Sequence, residues 1–188
     1  MLDSLIKFYP GQAFAYTYDL SDPDEINICF KKIIENFRGE LDVVIHCAGA
    51  YYNKEFEDLS IKDWDECMNL NARSIVHLTS LAVPFLEVSK GNRSIVILTS
   101  ANKDKPLFGE MLFAVSKSMI NTFIECMALE LASSKIRVNG VGISAINTTF
   151  RSSKETGITE FENQIFLEHV SELRPLKTAQ KVYYCEIF

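Results

Sequence analysis

Two periodicities alternate along this chain. Runs of β-branched and aliphatic residues recur at Leu41–Cys47, Ser94–Ser100 and Ile136–Val141, with the composition of strands buried in a parallel sheet. Ala13–Tyr18 alternates and is rich in aromatic residues, and it too reads as a strand. Between these runs the apolar positions return at helical spacing. Ile26, Phe30, Ile33, Ile34 and Phe37 form one stripe, opened by Ser21-Asp22-Pro23-Asp24-Glu25 and closed by Gly39. Asp63–Leu86 predicts a long helix carrying Trp64, Cys67, Met68, Asn71, Ile75, Leu78, Ala82 and Phe85. Val115, Met119, Thr122, Phe123, Cys126, Met127 and Leu131 mark another, opening at Phe113. Thr159–Leu173 predicts a further helix after an irregular stretch from Gly142 to Gly157. Met1–Tyr9 reads as the end of a helix stopped by Pro10-Gly11, and Lys177–Phe188 has no clear period.

Strand followed by helix, four times over, predicts βαβ units and an α/β fold with a doubly wound parallel sheet. The 188 residues suit one domain spanning 1–188, and 47% hydrophobic content is enough for a sizeable core. A net charge of −6, with basic pairs such as Lys31-Lys32 on a helical surface, argues against a nucleic-acid partner. The five cysteines are separated by 18, 20, 59 and 59 residues, which forms no metal-ligand or CxxC pattern. Cys29, Cys67 and Cys126 fall on apolar helix faces as small hydrophobes, which predicts a reducing, cytoplasmic setting. No signal sequence opens the chain and no apolar run approaches a membrane span, so no membrane partner is expected. His46, His77 and His169 are too scattered to hold a metal.

The chemistry gathers at the strand that ends in Ser100. Phe113 follows thirteen residues later and opens a helix, with Lys117 one turn further on. This arrangement resembles the active-site segment of the short-chain dehydrogenase/reductase family, in which a serine ends a strand and a Tyr-x-x-x-Lys pair opens the next helix. Taken singly, Ser100 is a strand-end hydroxyl, Lys117 an exposed helix charge and Asn71 a helix kink or surface amide; the ordered set carries the resemblance. Asn71 in Asn69-Leu70-Asn71-Ala72 matches the family's helix asparagine. His46-Cys47-Ala48-Gly49 matches Asn-Asn-Ala-Gly with both asparagines replaced, and Asp19-Leu20 matches the adenine-contacting pair. Arg137-Val138-Asn139-Gly140-Val141 looks like the family's sixth strand, Ile146 and Thr148 fall near the nicotinamide, and Pro175-Leu176 resembles its late Pro-Leu.

The resemblance implies a Rossmann-like sheet, a NAD or NADP cofactor, and a small carbonyl or alcohol substrate. It assigns Ser100, Lys117, Asn71 and Phe113 (at the tyrosine position) to catalysis. It assigns Asp19, Leu20, Cys47, Ala48, Gly49, Lys117, Ile146 and Thr148 to the cofactor. It also implies homo- or hetero-oligomers through helices 63–86 and 113–133. Two departures matter. Phe113 has no proton to give, and general acid–base help is worth about 10² to 10⁴ in rate. The eight glycines include no Thr-Gly-x-x-x-Gly-x-Gly turn, whose backbone N–H groups would hold the pyrophosphate. The family's first βαβ segment and last strand have no counterpart here, so the reading is of a single incomplete domain with impaired cofactor binding. Three functions remain open: a weak or inactive oxidoreductase, a non-catalytic pseudo-enzyme that pairs with a complete homologue, or a fragment. Tyr51 and Tyr52 read as loop aromatics covering the pocket, with a substitute proton donor as the rarer alternative.

Overall fold

The computed structural model describes residues 10–101, 106–146, 148, 150–152 and 156–173. The expectations for Met1–Tyr9, for Pro175-Leu176 and for the tail lie outside these residues. In chain order the elements are α1 (Pro23–Asn36), β1 (Val43–His46), a 3₁₀ turn (Phe56–Asp58), α2 (Ile61–Met68), a π turn (Asn69–Arg73) and α3 (Ser74–Val88). They continue with β2 (Ser94–Ser100), α4 (Met111–Glu130), β3 (Arg137–Ile143) and α5 (Glu160–Leu173). The described sheet has three parallel strands in the order β1-β2-β3.

Local chemistry explains most of these boundaries. Asp22 caps α1 by accepting from the backbone N–H of Asp24 and Glu25, and Pro23 occupies the first turn, where a missing N–H costs nothing. Gly39 ends α1 at φ +80°, its N–H bonding back to Ile34 O at 2.9 Å. Ser60 and Asp63 form a capping box at the start of α2. Thr159 and Glu162 exchange the same reciprocal bonds at the start of α5. The predicted helix Asp63–Leu86 is thus two α-helices joined by a π turn, because one extra residue is looped out around Asn71.

Ala13–Tyr18 forms no strand and does not join the sheet, because no described strand lies alongside to complete a ladder. It leans on α1 instead. Phe14 meets Phe37 edge-on at 6.0 Å, the Tyr16 hydroxyl accepts from the Asn36 amide, and Lys32 sits 5.3 Å over the Tyr18 ring. β1 also departs from the expected burial. Val43 is 47% and Ile45 61% exposed, since no described element covers that side of the strand. Cys29 and Cys67 are buried as expected, but Cys126 faces solvent; all four described cysteines are free.

One core cluster joins the three strands to the helices: Phe30 of α1, Ile75 and Leu86 of α3, Ile95 and Ile97 of β2, Ile120 and Ile124 of α4, and Val138 of β3. Gly140 permits the close approach of α4 to β3, because a Cβ there would lie 3.0 Å from Ile124 Cδ1. Among the described residues α4 is the one helix long and apolar enough to cross a membrane. Its packing on β2 and β3 gives that apolarity a core role.

Ile97→Ala should lower stability by about 2–5 kcal/mol, since Ile97 is fully buried and its removal leaves a cavity. Ile45→Ala on the uncovered side of β1 should cost about 0.5 kcal/mol or less. Urea denaturation of both variants checks the contrast, and equal losses would place the core elsewhere.

Candidate active site

The parallel strands all release their chains at one edge of the sheet, where a crevice forms between successive connections. A cavity of about 220 Å³ opens there. Cys47, Gly49 and Tyr51 after β1, Leu98–Ser100 at the end of β2, and Ile143–Ile146 with Thr148 after β3 line it. Phe113 and Lys117 of α4 form another wall, and Phe150, Arg151 and Phe166 the remainder.

Asn71 fixes this geometry from behind. It is fully buried and does not line the cavity. Its Oδ1 accepts from Ala50 N at 2.8 Å, while Nδ2 donates to Ala50 O at 2.9 Å and to Ser116 Oγ at 3.2 Å. The turn after β1 is therefore tied to α4 through one side-chain amide. Gly49 keeps that turn close to Asn71, since a Cβ there would come 3.2 Å from Asn71 Oδ1 and the carboxamide would have to shift. Ser116 in turn donates to Phe113 O at 2.8 Å, so its hydroxyl is committed within the helix and to Asn71.

Lys117 is 6% exposed and donates to Leu98 O at 3.0 Å. Burial pushes its pKa down, opposed only by the nearby Cys67 thiol. Burial likewise pushes that thiol up to about 11. Nζ lies 5.8 Å from the centre of the Phe113 ring, whose edge carries no hydroxyl. Phe113 packs into an aromatic triangle with Tyr51 (5.2 Å) and Phe150 (6.1 Å), the last two being 6.2 Å apart.

The Tyr51 phenol is turned away from the proton-donor role. Its hydroxyl donates to the fully buried Glu110 carboxylate, and burial together with that carboxylate raises its pKa. Arg151 Nη1 reaches the same carboxylate at 3.5 Å. The Arg151 guanidinium stacks 3.5 Å from the Phe166 ring centre and 4.9 Å from that of Tyr51. Sequence reasoning missed Glu110, Arg151 and Phe166. A lone acid before a helix and a lone arginine in an irregular segment carry no periodic signal, and only packing joins them.

Ser100, Phe113, Lys117, Cys47, Gly49, Ile146 and Thr148 all line one cavity. Ala48 is exposed beside it. Asp19 and Leu20 are not among the lining residues; the Asp19 carboxylate accepts from Ser21 N and Oγ at 2.8 and 2.7 Å, which lowers its pKa. No cluster of metal-ligating side chains occurs among the described residues.

Residues 3–158 match the family model for short chain dehydrogenases. This chain belongs to the short-chain dehydrogenase family. It is 30% identical over 150 residues to the 3-oxoacyl-[acyl-carrier-protein] reductase FabG of Thermotoga maritima, covering 78% of this chain and 60% of that protein. It is 29% identical over 178 residues to the 7alpha-hydroxysteroid dehydrogenase of Escherichia coli K12, covering 95% of this chain and 67% of the relative. The crystal structure of a short-chain dehydrogenase/reductase of unknown function from Caenorhabditis elegans superposes with a TM-score of 0.82 at 23% identity, covering 96% and 70% of the two chains. This short-chain dehydrogenase therefore spans roughly two thirds of the length of its relatives.

His46, where the family resemblance leads one to expect asparagine, ends β1 buried, with Nε2 3.0 Å from Thr79 Oγ1 of α3. Burial pushes its pKa from 6.5 down to about 4. The unfolded chain then binds the extra proton first. His46 leaves stability intact above pH 6.5, erodes it between 6.5 and 4 by at most ~1.4 kcal/mol per pH unit, and adds no further loss below. His46→Asn should flatten that part of the stability–pH curve, measured by urea unfolding at successive pH values. A slope unchanged in the variant would refute the assignment.

Proposed function

We propose that this chain carries the substrate end of a nicotinamide-dependent oxidoreductase site for small carbonyls or alcohols, and that hydride transfer there is weak or lost. One observation carries the reading: at the position where the family resemblance calls for a phenol, Phe113 offers only a ring, and Lys117 bonds to Leu98 O instead. The relatives named above are a ketoacyl reductase and a hydroxysteroid dehydrogenase, both acting at carbonyl or alcohol carbons.

The nicotinamide–ribose half of NAD or NADP fits the residues present. Gly49 leaves backbone open to a close approach, Lys117 presents an amine for ribose hydroxyls, and Ile146 and Thr148 wall the opposite side. The cofactor, when bound, supplies the hydride. The chain's own part is to hold the substrate oxygen at Ser100, to keep Lys117 placed through Asn71 and Ser116, and to exclude water with the Tyr51–Phe113–Phe150 triangle. The proton that must accompany the hydride has no donor at position 113. Four free thiols fit a cytoplasmic setting.

A second reading, a pseudo-enzyme that pairs with a complete homologue, draws on the apolar surface left open. Val43 and Ile45 lie bare on β1, and Val76, Val115 and Met119 on the helices 63–86 and 113–133.

Phe113→Tyr is the direct test. Oxidation of NADPH or NADH at 340 nm, with a panel of small ketones, should run at least about 10²-fold faster in the variant than in the parent. A parent chain as fast as the variant would overturn the proposal.

A further inference from the structure

Lys117 is an amine held where a charge is poorly supported. Every element around Nζ supplies neutral chemistry. β2 offers the Leu98 carbonyl at 3.0 Å, α4 the Phe113 ring at 5.8 Å, and the turn after β1 the bare backbone of Gly49. The π turn offers the Asn71 carboxamide, whose Oδ1 shares the Gly49 approach, and α2 the Cys67 thiol, which burial keeps protonated. No carboxylate pairs with Lys117 among the described residues. The nearest buried acid on its own helix segment, Glu110, is engaged by Tyr51 and Arg151. The amine also faces a cavity large enough for a small molecule, whose lining includes Leu98, Ile143, Ile146, Phe113 and Phe150, and also Arg151, whose guanidinium is engaged by Glu110 and the Phe166 ring. A desolvated lysine against an apolar cavity is the setting in which an amine becomes a nucleophile toward carbonyl carbon.

We infer that Lys117 captures apolar aldehydes entering this cavity as an imine, a covalent activity separate from hydride transfer. The neutral Nζ adds its electron pair to the carbonyl carbon, and the C=O π pair moves to oxygen. One proton passes from nitrogen to that oxygen, giving a carbinolamine. The carbinolamine loses its hydroxyl with the remaining amine proton as water, and a C=N bond forms. Carbon and nitrogen keep their overall electron count, so no oxidant, reductant or cofactor is required. Ser100, on the same cavity wall, is placed to hydrogen-bond the oxygen as it leaves. Burial of Lys117 favours the neutral amine, so capture should proceed at a lower pH than at solvent-exposed lysines.

The test uses the whole chain without nicotinamide. The protein is incubated at neutral pH with dilute benzaldehyde and sodium cyanoborohydride, which reduces any imine to a stable benzylamine, and is then peptide-mapped by mass spectrometry over time. The expected result is modification of Lys117 about tenfold or more faster than of any other lysine, as expected of a desolvated amine facing an apolar cavity. Saturation with rising benzaldehyde should accompany it. Lys117→Met keeps the apolar stem and should abolish the fast adduct while leaving slow labelling elsewhere. Labelling spread evenly over the lysines, or a Lys117 peptide that stays unmodified, overturns the inference. If Lys117→Met misfolds by circular dichroism, the map of the parent chain alone still decides. The inference shares its cavity with the proposed oxidoreductase site but not its chemistry. Failed labelling leaves the Phe113→Tyr experiment standing, and failed reduction by Phe113→Tyr leaves the labelling result standing.

Discussion

The site depends on one buried carboxamide. Asn71 uses both ends of its side chain, taking the Ala50 N–H on oxygen and giving its amide protons to Ala50 O and Ser116 Oγ. Leaving any of these groups unpaired in the interior would cost about 1–3 kcal/mol. The pairing therefore holds the turn after β1 at a fixed distance from α4. Gly49 and Tyr51 are set by one side of this clamp, and Phe113 and Lys117 by the other. The π turn at Asn69–Arg73 is what allows it: a wider turn, with an extra residue, rotates Asn71 inward between α2 and α3.

Behind that clamp the charges are sorted into two kinds of environment. Glu110 and Arg151 form an ion pair that is deeply buried on the acid side, and the pair is supported by the Tyr51 phenol and by aromatic faces. Such support is what a buried pair needs to offset desolvation. This cluster draws together the turn after β1, the entry to α4 and the segment after β3. Among the described residues Lys117 has no such partner and meets a carbonyl, a thiol and a ring. A phenol at position 113 would change the chemistry of that amine as well as the supply of protons. Substituting one aromatic residue for another thus alters two functional groups at once.

Much of the architecture was legible in the residues. Asp22-Pro23 and Gly39 mark the ends of α1 because caps act over three or four residues. The runs at Val43–His46 and Ser94–Ser100 mark strands because their composition suits a sheet. Ser100, Phe113 and Lys117, singled out by the family resemblance, all line one cavity. Ala13–Tyr18 shows the limit. Its alternation suits a strand, but a strand exists only where a neighbour completes the ladder, and its aromatics settle on α1 instead.

The sequence by itself determined most of the elements, their order and the absence of a hydroxyl at position 113, because capping, periodicity and residue identity are local properties. Only the tertiary structure decided that Tyr51 turns its phenol to Glu110, 59 residues away, that Arg151 closes the same cluster, and that Asn71 faces inward rather than to solvent. Those outcomes follow from which groups are excluded from water together. Exclusion from water is settled by packing between distant segments, and no window of neighbouring residues contains it.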